Sequence, residues 1–209
     1  LLADAGADAV ELNLYSVNTN PDESSAAVED RYLRIISMVR AQIEVPLAVK
    51  LSQHITGLSS FARRAEDAGA NGLVLFNRFY GAEVDLDGLA MTSRLALSNP
   101  EELRFPLRWI GILRAQRPGL SLAATTGVHS GLDAVKALLV GADVACTTSA
   151  VLQHGTGRVG RMLAELGTWL TDHDYDSVRQ LQGSMSADNV SDPAAFERAQ
   201  YMKVITSQI

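Results

Sequence analysis

An alternating α/β fold on a parallel sheet is what this sequence predicts, and three observations predict it. A glycine-centred motif recurs as Ala5-Gly6-Ala7-Asp8, Ala68-Gly69-Ala70-Asn71 and Val140-Gly141-Ala142-Asp143. Each copy is followed at once by a short β-prone run: Ala9 to Leu14, Gly72 to Phe76, and Val144 to Thr147. The stretches between carry apolar residues at helical spacing. Glycine enters the left-handed conformation that ends a helix without a Cβ clash. The repeat therefore reads as helix, stop, strand, the pattern of successive βα units.

Each element follows from local signals. The first strand is expected near 9–14. Leu33, Ile36 and Val39 mark one helical face, and Val45-Pro46 closes that segment before a second strand at 46–51. Ser59 or Ser60 is the expected cap of a helix running to Ala68, with Phe61, Ala62 and Ala65 on one face. A third strand is expected at 72–76. Pro106 suits the first turn of a helix carrying Leu107, Ile110 and Leu113, and Pro118-Gly119 ends it. Strands at 121–125 and 143–147 flank a helix from Leu132 to Leu139, capped by Ser130. All five strands are short and apolar, as parallel strands buried on both faces are.

The polar residues choose among parallel folds. Asn13, Lys50, Asn77 and Thr126-Gly127 fall at or just past the C-terminal ends of successive strands. That is where (β/α)₈ barrels keep their chemistry, whereas an open doubly wound sheet is the competing arrangement. Five units are too few for a barrel, which takes about 250 residues. The opening Leu1-Leu2-Ala3-Asp4 reads as the tail of a helix under way. The expectation is thus a (β/α)₈ TIM barrel with its N-terminal βα units missing. Residues 1–209 form one domain, in which about 166–209 are a helical C-terminal extension.

Composition narrows the function classes. A net charge of −6 without a basic run disfavours nucleic acid. No apolar run reaches the roughly 20 residues of a membrane span, and no signal peptide is evident. The one cysteine, Cys146, allows no internal disulfide and sits in an apolar run as a small buried hydrophobe. The cytoplasm is the expected location. His54, His129, His154 and His173 have no metal-ligand spacing, and Gly155 to Gly160 matches GxGxxG but begins well after its strand.

Three stretches carry chemistry. Glu11 to Pro21 delivers Asn13, Ser16 and Asn18 to one loop, able to bond a planar polar ligand or simply to form a turn. Lys50, in an apolar strand, should meet an anion or lie at the open strand end. Thr125 to Gly131 and Thr147 to Ala150 are adjacent strand-end turns whose N–H groups can cradle a phosphate.

These residues resemble the dihydroorotate dehydrogenase family. ELNLYSVNTNPD (11–22) is similar to its active-site strand and loop, PLAVKLS (46–52) to its flavin-lysine strand, and GLVLFNR (72–78) to the strand ending in a substrate asparagine. FPLRWIGIL (105–113) resembles the helix after the family's proline, and 125–152 its phosphate-binding end. The match runs nearly end to end, in order.

The resemblance implies FMN over the strand ends. It places Ser16 at the catalytic base, Lys50 against the flavin N1/O2 edge, and Asn13 near both flavin and substrate. It places Asn18 and Asn77 on the substrate, and Thr126, Gly127, Thr148 and Ser149 around the phosphate. The implied reaction oxidises dihydroorotate or a related dihydropyrimidine by proton abstraction and hydride transfer. The expected partners are that small molecule and, in assembly, a second copy of the chain. Val17, Thr126, Thr148 and Arg78 depart from the family pattern, and Arg78 could bind a carboxylate or block the usual substrate. Two alternatives stand beside this reading: a phosphate-binding barrel isomerase or lyase without redox chemistry, and a non-catalytic family member.

Overall fold

Gly6, Gly69 and Gly141 adopt φ of 93°, 108° and 113°, the left-handed values that the recurring motif demands. The computed structural model describes residues 2–78, 81–93, 95–198 and 206. At Gly69 and Gly141 a side chain would also strike Arg40 and Arg114 respectively, so both positions combine a turn with close packing.

The elements run β1 (Val10–Asn13), α1 (Ser25–Arg40), β2 (Leu47–Leu51), α2 (Leu58–Asp67), β3 (Gly72–Leu75), β4 (Glu83–Asp85), β5 (Ala90–Thr92), a 3₁₀ turn (Pro100–Leu103) and α3 (Arg104–Gln116). They continue with β6 (Ser121–Ala124), α4 (Gly131–Val140), β7 (Val144–Ala145), α5 (Ser149–His154), α6 (Gly157–Asp172), α7 (Val178–Leu181) and α8 (Ala194–Glu197). Five strands form one parallel sheet in the order β1-β2-β3-β6-β7. Each new strand adds beside the last. With right-handed crossovers, such an order puts every connecting helix on the same face. The helix contacts agree, since α1 packs on α2, α2 on α3 and α3 on α4. Ion pairs follow the same sequence: Arg64 bonds Glu29 and Asp30, Arg117 bonds Glu66, and Arg114 bonds Asp143. The doubly wound alternative, which reverses strand order and places helices on both faces, does not describe this sheet.

The core lies between sheet and helices. Leu47, Val49, Leu51, Leu75 and Ala124 are fully buried beneath Ile36, Phe61, Ala62, Ala65, Ile110 and Leu113. In α2, Leu58, Phe61, Ala62 and Ala65 fall at i, i+3, i+4 and i+7, which sets one stripe against the sheet. Truncating Phe61 to Ala would cost about 3–5 kcal/mol, the usual range for a buried aromatic.

Three sequence expectations change. Only β3 is buried on both faces, at every residue from Gly72 to Leu75; the other strands are not. In β2 the residues alternate between fully buried and half-buried, and in β1 Glu11 and Asn13 are exposed. Glu11, Asn13, Ala48, Lys50, Ala123 and Val144 thus share one face, which is covered at Val74 and open at its edges. Helix α2 starts at Leu58 with Gly57 as its cap, so Ser59 and Ser60 are inside it rather than capping it. Leu166 lies within α6, so the expected start of a C-terminal extension falls mid-helix. Beyond α6 the chain returns to α3 and α4: Gly183 and Met185 N–H groups donate to Leu138 and Leu139, and that of Ala187 donates to Gly111.

Other details follow the sequence. Ser130 accepts from the Asp133 N–H in a capping box at the start of α4. Pro106 sits in the first turn of α3, where its missing N–H is not needed. The Gly155–Gly160 motif joins α5 to α6 and follows no strand. The antiparallel β4–β5 hairpin, helix α5 and the first part of α6 had no counterpart in the sequence expectations.

Candidate functional site

Parallel register determines what stands at the strand ends. Asn13 lies level with Lys50, and Lys50 with Val74, while Leu51, Leu75, Ala124 and Ala145 form the next row. The turns that follow these strands open on a cavity of about 340 Å³. Asn13, Lys50, Asn77, Thr126, Gly127, Thr148 and Ser149 all line it, with Tyr15, Phe76, Cys146 and the segment 95–98. Seven of the nine residues singled out in the sequence therefore meet in one place.

The polar groups are already organised. Asn77 Nδ2 donates to Asn13 Oδ1 at 2.5 Å and to the Leu14 carbonyl at 3.3 Å, which links the first strand end to the third. Lys50 Nζ lies 3.4 Å from Glu11 Oε1 on the open face. The anion expected beside this lysine is thus supplied by its own sheet. Cys146 is close enough to feel both charges. Burial pushes its thiol pKa up against the pull of Lys50, and Glu11 adds to the rise. The sulfur accordingly stays protonated at neutral pH, although Cys146 is half-buried on the cavity wall rather than buried in the core as its apolar run suggests.

The 125–128 turn is tight. Thr126 and Gly127 both adopt positive φ, 74° and 84°. A Cβ on Gly127 would stand 2.3 Å from the Leu103 backbone nitrogen. Thr126 Oγ1 donates to the Phe76 carbonyl at 3.3 Å, so its hydroxyl ties the turn to β3. Across the cavity the first N–H groups of α5 have no carbonyl within their own helix, as at any helix start.

Ser16 and Asn18 go elsewhere. The Ser16 hydroxyl donates to Asn18 Oδ1 at 3.0 Å and shares a 2.5 Å hydrogen bond with the Tyr32 hydroxyl. Arg31 also donates to Asn18 Oδ1. Both residues border a separate depression with Glu23, Glu29, Ser52 and His54.

Arg78 also lines the cavity, and the carboxylate it binds is one of its own chain, Glu102. Its Nε donates to the Ala96 carbonyl at 2.7 Å, Nη2 to the Leu97 carbonyl at 3.1 Å, and Nη1 to Glu102 at 2.6 Å. The guanidinium holds a loop of its own chain. That loop supplies the residues sequence reasoning missed. The Ser98 N–H donates to Ser149 Oγ, and the Ser98 hydroxyl shares a 3.0 Å bond with buried His129. The only sequence signal was Asn99-Pro100-Glu101-Glu102, a capping box that does form.

Behind the turn, Asp133 is buried and accepts from Ser130 and from the His129 N–H, with Lys136 beside it. Burial opposes its charge, yet the bonds from Ser130, Lys136 and His129 outweigh it and hold the pKa below its ordinary 3.8. Among the described residues, no group of three or more His, Cys, Asp or Glu is placed to hold a metal ion. Among the same residues, no helix is long and apolar enough to cross a membrane.

No family model matches the chain. Individual proteins do. It is 30% identical over 148 residues to dihydroorotate dehydrogenase A (fumarate) of Limosilactobacillus reuteri, covering 66% of this chain and 46% of that protein. It is 28% identical over 192 residues to the catalytic subunit of dihydroorotate dehydrogenase B (NAD(+)) of Geobacter sp. strain M21, covering 87% and 60%. It is 22% identical over 195 residues to the chloroplastic dihydropyrimidine dehydrogenase (NADP(+)) of Arabidopsis thaliana, covering 85% and 46%. The chain thus spans about half the length of the curated relatives it matches.

Proposed function

The chain is a divergent relative of the dihydroorotate dehydrogenases, and from that premise we propose that it is part of an FMN-dependent oxidoreductase acting on dihydroorotate or a related dihydropyrimidine. The five strands form one arc of a (β/α)₈ barrel, and the remaining strands belong to the length that the relatives have beyond this match. The strand order and the single helix layer support that architecture.

One observation carries the functional reading: Asn13, Lys50, Asn77 and the two strand-end turns converge on one cavity. The donor set suits a flavin mononucleotide. The 125–128 turn and the start of α5 offer N–H groups to a phosphate. Lys50 offers a cation to a ring edge that gathers negative charge, and the amides of Asn13 and Asn77 offer a donor and an acceptor in one plane. The cavity volume lies at the lower end of the range for small-molecule sites.

When bound, FMN would supply the hydride-accepting chemistry. The chain's own residues would do the rest. Asn13 and Asn77, already bonded to one another, present a rigid pair that orients a polar ring. Lys50 exchanges Glu11 for the ligand and stabilises the added charge. Ser16 takes the proton once the loop at 15–20 turns its hydroxyl from Tyr32 toward the cavity. A hydroxyl is a weak base alone, so Ser16 would release its own proton to solvent water as it takes that of the substrate.

A second reading keeps the phosphate site and omits redox chemistry. It is favoured by the placement of Ser16 and Asn18 outside the cavity. Anaerobic titration of the complete protein separates the two. The first reading expects flavin absorbance that dihydroorotate bleaches, and Lys50→Ala should weaken flavin binding or slow the bleaching. The second expects phosphate-ligand binding without flavin uptake.

A further inference from the structure

The segment from Leu95 to Leu103 crosses one wall of the cavity and is fastened on both sides. On the β3 side each of the three Arg78 nitrogens has a partner in the segment: the Ala96 carbonyl, the Leu97 carbonyl and the Glu102 carboxylate. Glu102 is itself fixed, because its other oxygen accepts from Asn99. On the β6–β7 side Ser98 bonds Ser149 and His129, and Leu103 presses its backbone against Gly127. The Arg78 side chain is about one-fifth exposed and that of Glu102 one-third, so the pair is partly withdrawn from water and weakly screened.

We propose that Arg78 is a positioning residue, clamping residues 95–98 against the cavity and thereby setting how firmly a ligand there is retained. The proposal rests on reading the cavity as a ligand site. It follows from what a guanidinium can do: its planar fork satisfies two carbonyls and a carboxylate at once, and a lysine ammonium or a small hydroxyl cannot copy that geometry. The carbonyl groups at 96 and 97 are taken up by Arg78, which lines the cavity with them. That leaves Ser98, whose N–H meets Ser149, as the residue coupling the clamp to the strand-end turn. Loss of the fork should let 95–98 open while the sheet beneath keeps its packing, because among the described residues the side-chain hydrogen bonds of Arg78 go to Ala96, Leu97 and Glu102 and not to the core.

Hydrogen exchange of the complete protein without ligand, with and without Arg78→Ala, reads the clamp directly. The amides of 95–99 should exchange about tenfold or more faster in the variant, since charged hydrogen bonds are lost. Those of β2 and β3 should be unchanged. Arg78→Lys, which keeps the charge beside Glu102, covers the case in which the alanine variant fails to fold, and should fall between the two. In parallel, release of bound FMN into an excess of apoflavodoxin-type flavin scavenger should be faster in both variants, with the fastest release for Arg78→Ala. Unchanged exchange at 95–99 in Arg78→Lys and, where it folds, in Arg78→Ala would overturn the clamp. Faster exchange with unchanged FMN release would overturn its role in retention. Wild-type protein that takes up no FMN would instead refute the cofactor assignment, and the exchange result would still decide the clamp.

Discussion

Lys50 and Glu11 face each other across the first two strands, Nζ to Oε1 at 3.4 Å, on the open face of the sheet. The pair is partly exposed, so it contributes less than about 1 kcal/mol to folding. Its importance lies in competition. Glu11 holds the cation that an electron-rich ligand would need. Glu11→Gln should leave the melting temperature nearly unchanged and tighten binding of an anionic ligand by about threefold to tenfold, the scale of one partly screened charge. Calorimetric titration with FMN measures it, and weaker binding would contradict the assigned role of Lys50.

The two positive-φ residues of the 125–128 turn should respond in opposite directions. Gly127→Ala puts a Cβ 2.3 Å from the Leu103 nitrogen at φ 84°. It should destabilise the protein by about 3 kcal/mol, among the larger single-site effects. Thr126→Gly relieves a β-branched residue at φ 74°. Such strain costs about 1–3 kcal/mol, offset in part by the entropy of a new glycine and the lost bond to Phe76. The expected net gain is about 1 kcal/mol, read from denaturant midpoints.

Asp133 gives the fold a specific acid sensitivity. Its pKa in the folded protein lies below the ordinary 3.8. Its ionised form therefore adds stability that is fully present above about that value and is lost as the pH falls through the lowered folded pKa. Asp133→Asn should cost about 1–2 kcal/mol at neutral pH, as loss of a helix cap with extra partners does. The cost should shrink below pH 4. Urea titrations at neutral pH and near pH 3 provide the comparison, and a cost that grows on acidification would contradict the charge assignment.

Ser16→Ala tests the proton step. A positioned base contributes about 10²–10⁴-fold, so flavin reduction in the complete protein should slow by that order while flavin binding stays intact. Tyr32→Phe should slow it less, since Ser16 keeps its bond to Asn18. An unchanged rate in Ser16→Ala would remove this serine from the mechanism.

Much of the fold was legible because its signals are local. Gly6, Gly69 and Gly141 announce left-handed stops that the backbone does adopt, and the strand-end residues follow from strand positions alone. The β4–β5 hairpin has a turn signal in Asp87-Gly88 between Val84 and Met91, but it interrupts the βα rhythm that the rest of the sequence sets. The cap of α2 misled because Ser59 and Ser60 resemble caps one turn too late, while Gly57 does the work by conformation alone. The contacts of Arg78, Ser98 and His129 join segments up to 51 residues apart once Ser149 is included. No spacing rule reports such a contact. The turn of Ser16 and Asn18 toward Tyr32 and Arg31 likewise depends on where α1 lies, not on the loop's own residues.

The absorbance spectrum of the complete protein, recorded before and after anaerobic addition of dihydroorotate, tests the central claim most directly. The account predicts bound flavin, with its visible absorbance bleached by the substrate and with both uptake and bleaching impaired in Lys50→Ala. A colourless protein that takes up no added FMN would contradict it.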